Sequence, residues 1–265
     1  MCSTEHKKYL KKIKRENRLV LFFQLLLVLL FLVIWQISAD LGWINTFISS
    51  SPKAILETLI SLHNANNLYH HILITVWETF LSFSLGTIIG IVIATILWYL
   101  PFVHRVVEPY LTILNSLPKV ALGPIIIIWC GAGMKSIIFM ALLISVIITI
   151  INVYQGFMEI DPNKIRLLQS MKATKTQIYR YLVLPGAFNN IISALTINIS
   201  LTLIGVIMGE FLVSKSGIGY LIMYGSQVFN LDLVITGVFI LCIVAALMYY
   251  SIFYLEKLLI KHSKR

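Results

Sequence analysis

Apolar runs of about twenty residues, broken by short polar stretches, dominate the 265-residue chain. Residues 19–39 open with LVLFFQLLLVLLFLVIW, 79–100 read TFLSFSLGTIIGIVIATILWYL, and 136–157 read SIIFMALLISVIITIINVYQGF. Residues 186–209 read GAFNNIISALTINISLTLIGVIMG, and 233–255 read LVITGVFILCIVAALMYYSIFYL. Each is free of charged residues and reaches the roughly 20 residues that a helix needs to cross a bilayer. A sixth stretch, YLTILNSLPKVALGPIIIIWC at 110–130, is interrupted by Pro118, Lys119 and Gly123-Pro124. No strand-like alternation appears. Since helices satisfy their own backbone hydrogen bonds in lipid, the pattern predicts an all-α membrane protein with six transmembrane helices.

Composition agrees with the pattern: 58% of residues are hydrophobic and 12% charged, against roughly 25% charged in soluble domains. Residues 19–39 exceed the about 7–15 apolar residues of a signal peptide and no A-x-A site follows, so they read as a retained helix. The preceding segment, 1–18, is a basic tail.

A net charge of +10 raises the question of a nucleic-acid partner, but the positions of the charges answer it. Lys7, Lys8, Lys11, Lys12, Lys14, Arg15 and Arg18 fall on one side of the predicted topology. So do Arg105, Lys164, Arg166, Lys172, Lys175, Arg180, Lys257, Lys261, Lys264 and Arg265. The other side holds Lys53, Lys135 and Lys215. The bias predicts a multi-pass membrane protein with both termini cytoplasmic. Its basic side faces anionic lipid, and nucleic acid is not a partner.

Two segments between the spans have helical character. In SPKAILETLISLHNANN, 51–67, Ser51 is placed to cap, Pro52 stands at the first helical position, and Ile55, Leu56, Leu59, Ile60 and Leu62 form an apolar stripe. This predicts an amphipathic helix on the outer face, lying on the membrane or docking an external partner. The second segment follows the fourth span as MEIDPNKIRLLQSMKATKTQIYRYLVLPGAF. Asp161-Pro162 signals a helix start. Ile165, Leu168 and Met171 share one face of a short basic helix, Ile178, Tyr181 and Leu182 mark a second, and Leu184-Pro185 marks re-entry into the membrane. The residues alone fit a headgroup-bound helix or a protein-docking pair equally.

Material for catalysis is sparse. Eleven carboxylates and six histidines are dispersed, His70-His71 being the one adjacent histidine pair. Cys2, Cys130 and Cys242 have no metal-ligand or disulfide spacing. No phosphate-binding loop, dinucleotide turn or nucleophile elbow occurs, so neither a catalytic residue, a metal site nor a cofactor is expected in this chain. An ATP-independent secondary transporter or channel is the rival class; it calls for intramembrane carboxylates or inverted repeats, and the pattern offers neither.

Polar residues inside the spans are the remaining candidates. Pro118 and Pro124 break the third helix, which survives at membrane depth only within protein or beside a wet cavity. Lys119, with Asn115 and Ser116, either lines a translocation route favouring an anion, or caps freed carbonyls or pairs with Glu78 or Glu108. In the fifth helix, Asn189, Asn190, Ser193, Thr196, Asn198, Ser200 and Thr202 serve helix packing for the most part. Asn198 and Thr202, sharing a face, are the pathway candidates. Gly86-x-x-x-Gly90 and Gly205-x-x-x-Gly209 permit close helix approach. Glu210, at the outer end of the fifth helix, is a rim charge or a candidate gate.

Asp161-Pro162, a two-helix segment and LVLPGA together resemble the cytoplasmic signature loop of bacterial ABC-importer permeases. SLPKVALGPIIIIWCGAG at 116–133 resembles that family's broken third helix, and IGVIMGEFLVSKSGIGYLI at 204–222 its fifth helix and outer loop. The resemblance extends over about 51–260 and is greatest to the nitrate/sulfonate/taurine branch. It implies a type I importer permease bundle, with a permease core at 68–260 and a coupling loop at 159–185. Asp161, Pro162, Ile165, Arg166, Leu167, Leu168, Met171, Lys172, Ala173, Leu184 and Pro185 would meet the ATPase. Aligned on Leu184-Pro185, the family's Glu-Ala-Ala falls on Arg166, Leu167 and Leu168, and its turn glycine on Lys172, which implies either αR geometry or strain there. The implied partners are two ATPase subunits that bind ATP and magnesium, an external solute-binding protein and a second permease copy. The implied solute is a small anion of the nitrate, sulfonate or taurine type, or an aromatic vitamin precursor related to thiamine or riboflavin.

Overall fold

The computed structural model describes residues 4–263. Cys2 and the rest of 1–3 of the basic tail, together with Lys264 and Arg265, lie outside the described residues. Among the described residues thirteen α-helices, a 3-10 turn at Lys119–Leu122 and a π-turn at Tyr179–Val183 follow one another, and no strand occurs. In order they are α1 Thr4–Asp40, α2 Thr46–Ser49, α3 Pro52–Asn64, α4 Leu68–Tyr99, α5 Pro101–Ser116, α6 Gly123–Cys130 and α7 Met134–Met158. Then come α8 Pro162–Ser170, α9 Lys175–Ile178, α10 Leu184–Gly186, α11 Phe188–Val213, α12 Ile218–Gln227 and α13 Leu231–Ser263. Five helices are long and apolar enough to span a membrane, and a sixth span results if α5 and the chain from Lys119 to Cys130, bent by 87°, count as one.

The expected apolar runs all become helices, but α4 begins at Leu68 rather than near residue 79. Its first turns carry His71, Thr75 and Glu78, which interrupt the hydrophobic run and yet are buried inside the bundle. Ser51 caps α3 as expected, accepting a hydrogen bond from the Ala54 amide at 3.2 Å.

The core is a three-helix layer of α4, α7 and α11. Both glycine pairs grip the same partner. A Cβ on Gly205 would lie 2.5 Å from the Cα of Ala141, and one on Gly209 2.9 Å from the Cα of Ile137. Across α7, a Cβ on Gly86 would meet Ser145 Oγ at 2.9 Å, and one on Gly90 would meet Thr149 Cγ2 at 2.5 Å. Without a hydrophobic force between helices in lipid, such close backbone approach supplies the dispersion contacts that hold a bundle together. α12 and the first half of α13 pack at the end of the bundle remote from α8, where Leu68, Ile218, Ile222, Ile240 and Val244 form a buried cluster. The other end is closed by Ala94, Val153, Phe157, Ile178, Val183 and Ala187. The apolar window of α1 buries nothing against the rest of the chain.

Candidate functional site

The segment between α7 and α11 folds as two short helices turned back against the bundle. Asp161 starts α8: its side chain accepts the Asn163 amide at 2.8 Å, and Pro162 occupies the first turn. Thr174 and Gln177 form a capping box that starts α9. The second stretch is not one regular helix, because residues Tyr179–Val183 form a π-turn between α9 and α10. Ile165, Leu168 and Ala173 pack onto the buried cluster beneath. Met171 does not share their face. It is 71% exposed, as is Leu167 at 62%, with Arg166 exposed between Ile165 and Leu167.

Met171 caps the end of α8, and the next residue, Lys172, adopts φ +60°. Lys172 is therefore left-handed, not αR. That conformation favours glycine, the residue expected at this turn, and costs an L-residue roughly 1–2 kcal/mol. Leu184 and Pro185 are exposed at the start of the return into the bundle.

This loop is fastened to the end of α4. Lys175 Nζ donates to the Tyr99 carbonyl at 2.5 Å and lies 5.6 Å from the centre of the Trp98 ring. The Tyr179 and Thr95 hydroxyls are hydrogen-bonded at 2.8 Å. Trp98, Tyr99 and Phe157 surround the Tyr179 ring at centroid distances of 5.3–5.7 Å. None of these partners was singled out from sequence, since nothing in the order of residues relates Lys175 or Tyr179 to α4.

At the opposite end of α4 lies a buried polar cluster. Glu210 is 1% exposed, so it is not a rim charge. Thr75 Oγ1 donates to its Oε1 at 2.6 Å and the Gly219 amide donates to its Oε2 at 2.5 Å. Thr75 Oγ1 also accepts the Ile218 amide at 2.8 Å, and His71 Nδ1 accepts the Gly217 amide at 3.0 Å. Glu78, 5% exposed, lies beside Glu210 with Oε2 unpartnered. In sequence, Glu78 stood as a partner for Lys119 and Glu210 as a rim charge or gate, and the two were not placed together inside the bundle, because the spans were drawn from residue 79 and up to residue 209. An ionisable residue one position outside a charge-free run was the available signal.

The other candidates separate into two places. Asn115, Ser116 and Lys119 come together at the sharp bend after α5. Lys119 Nζ donates to the Asn115 carbonyl at 3.1 Å and approaches its Oδ1 at 3.4 Å, capping a carbonyl freed by the break. It forms no ion pair with Glu78 or Glu108 among the described residues. Asn198 and Thr202 are at most 1% exposed. Asn198 Nδ2 donates to Thr87 Oγ1 of α4 at 2.9 Å, and Thr202 Oγ1 to Asn198 Oδ1 at 3.4 Å. That is an interhelical tie. Among the described residues no group of His, Cys, Asp and Glu is clustered as a metal site would need.

Comparison with known proteins interprets this arrangement. Residues 86–264 match the family "binding-protein-dependent transport system inner membrane component". A probable ABC transporter permease protein of Haemophilus influenzae is 30% identical over 86% of this chain and 92% of its own. The formylaminopyrimidine transport permease of Halalkalibacterium halodurans is 27% identical, covering 91% and 95%. The putative aliphatic sulfonates transport permease of Escherichia coli is 25% identical, covering 85% and 86%. In fold, the chain superposes on a bacterial ABC transporter that imports the acidic polysaccharide alginate, with TM-score 0.64 and 15% identity over 94% of this chain and 98% of that one. Members of this family are non-enzymatic transport subunits, and the ATP is hydrolysed by a partner chain. The chain belongs to the binding-protein-dependent transport system inner membrane components, as a multi-pass permease subunit of an ABC importer.

Proposed function

We propose that this permease works as a pair of identical chains with two ATPase subunits on the side of α8 and a solute-binding protein at the opposite end. Both termini then lie in the cytoplasm, as the distribution of Lys and Arg requires. ATP and magnesium belong to the ATPase. The observation that carries the reading is the exposed trio Arg166, Leu167 and Met171 on a short helix fixed to the bundle. Two large apolar side chains held in water beside a cation form an anchor for a groove on a partner protein. The coupling loop is then residues 159–185, with Asp161, Pro162, Ile165, Leu168, Ala173 and Pro185 setting its geometry and Lys172 its turn.

The solute we infer is a small oxyanion or organosulfonate, supported by the sulfonate relative and by Lys119 with Asn115 and Ser116 at the helix break. The formylaminopyrimidine relative is of equal weight and supports an aromatic vitamin precursor as the second reading. Co-purification of the intact chain and of a chain lacking 166–182 with the cognate ATPase tests the assembly. Intact chain that retains no ATPase refutes it. Native mass spectrometry of the binding protein purified from cells then reads the mass of the solute directly, separating the two readings.

A further inference from the structure

The two polar clusters described above sit at opposite ends of one unbroken helix, α4 Leu68–Tyr99. At one end Thr95 and Tyr99 hold Tyr179 and Lys175 of the coupling loop. At the other, His71 and Thr75 hold the amides of Gly217 and Ile218 at the start of α12, while Thr75 also holds Glu210. Glu210 closes the ring by accepting the Gly219 amide.

We propose that Glu210 is a positioning residue. By locking the α11–α12 turn to α4, it makes α4 a strut through which displacement of the coupling loop reaches the far end of the permease. The inference rests on the importer reading above.

Three features set this cluster apart from ordinary helix packing. First, the amides of Gly217, which precedes α12, and of Ile218 and Gly219, its first two residues, have no intrahelical acceptors and are all taken by side chains of α4 and α11 rather than by a local cap. Second, the space around the Glu210 carboxylate is filled by backbone: a Cβ on Gly217 would collide with the carboxylate, and one on Gly219 would lie 2.8 Å from Oε2. Gly217 also has φ +110°, which other residues rarely adopt. Third, the cluster is sealed, with Thr75 fully buried and Glu210 1% exposed. Water cannot replace a lost bond there. The turn is therefore held in one place relative to α4, and 32 residues of continuous helix leave little compliance between it and the loop.

Amide hydrogen exchange of the permease–ATPase complex, with and without MgATP plus vanadate, tests the strut without knowledge of the solute. Exchange of the peptide spanning 211–222 is read together with that of α8. In the wild type, nucleotide shifts exchange in both peptides by at least threefold. Glu210→Leu raises basal exchange at 217–219 by tenfold or more, the effect of losing about 1.4 kcal/mol of hydrogen bonding. It also abolishes the nucleotide response of 211–222 while that of α8 persists. Glu210→Gln, which retains one acceptor and adds a donor toward Thr75, restores the response. Tyr179→Phe combined with Lys175→Met, which removes both hydrogen bonds at the loop end and leaves the Glu210 cluster intact, keeps basal protection at 217–219 and loses its response to nucleotide. Should Glu210→Leu fail to assemble, Thr75→Val serves, with the same result expected. A wild-type complex that hydrolyses ATP without any response at 211–222, or a response that survives both variants, overturns the strut and leaves the importer reading intact. A chain that recruits no ATPase overturns both.

Discussion

Replacing Gly205 by alanine separates packing from helix propensity, since the two predict opposite signs. On propensity alone, Gly→Ala in a helix interior stabilises by about 0.8–1.0 kcal/mol. In this structure the added Cβ would lie 2.5 Å from the Cα of Ala141 and 3.2 Å from its Cβ. Carbon atoms rest at about 3.5–4.0 Å. The obstacle is the backbone of α7, which has no rotamer to move to. α11 and α7 must part by roughly 1 Å along the whole contact, and overpacking against backbone that cannot yield falls in the upper part of the typical range, at about 2–3 kcal/mol. With the propensity gain subtracted, a net loss of about 1–2 kcal/mol is expected. At about 2–4 °C per kcal/mol for a chain of this size, thermal unfolding in detergent should fall by roughly 2–8 °C. Gly86→Ala is the internal control, because its new Cβ would meet the Ser145 hydroxyl at 2.9 Å, an atom that can rotate away. Its change should be smaller than that of Gly205→Ala. An unchanged or raised midpoint for Gly205→Ala would refute the close contact between α11 and α7.

At the loop, Lys172→Gly relieves the left-handed strain of φ +60° and should slow amide exchange in α8 and α9 severalfold, by up to about 1 kcal/mol. Lys172→Val should do the reverse. Leu167→Asp and Met171→Asp each remove an apolar anchor worth about 1.5–3 kcal/mol when buried, so affinity for the cognate ATPase, measured by biolayer interferometry, should drop about tenfold or more. Because both side chains are exposed, the melting temperature of the permease alone should not change. Lys119→Met should lower uptake in cells while leaving the amount of assembled complex unchanged; unaltered uptake would remove Lys119 from the pathway.

Much of the loop was legible from local chemistry. Asp161 and Pro162 start α8 because an acceptor side chain followed by a residue without an amide proton suits the first turn of a helix wherever it lies. The left-handed Lys172 was not legible, since lysine gives no sign of the φ that the return of the chain imposes on it. Met171 shares a helical face with Ile165 and Leu168 in sequence. Steps of three residues drift by roughly 60° each on a helix of about 3.6 residues per turn, so by the end of α8 Met171 has turned from Ile165 into solvent, where it joins Leu167. For Glu210, proximity to the end of a span suggested a rim. Docking of α12 over that end placed it instead among Thr75, Gly217 and Gly219, none of which lies within a helical turn of it in sequence.

Sequence by itself determined the apolar core of each span and the starts of α3 and α8, because each depends on residues within a turn or two of one another. Hydropathy counted over some twenty residues needs no knowledge of neighbouring helices. What pairs with what was decided only by tertiary structure: Gly205 against Ala141, Lys175 against Tyr99, Glu210 against Thr75. The physical reason is that in a membrane every buried polar group must find its partner within protein. That partner is set by how whole helices cross, not by the residues alongside it in the chain.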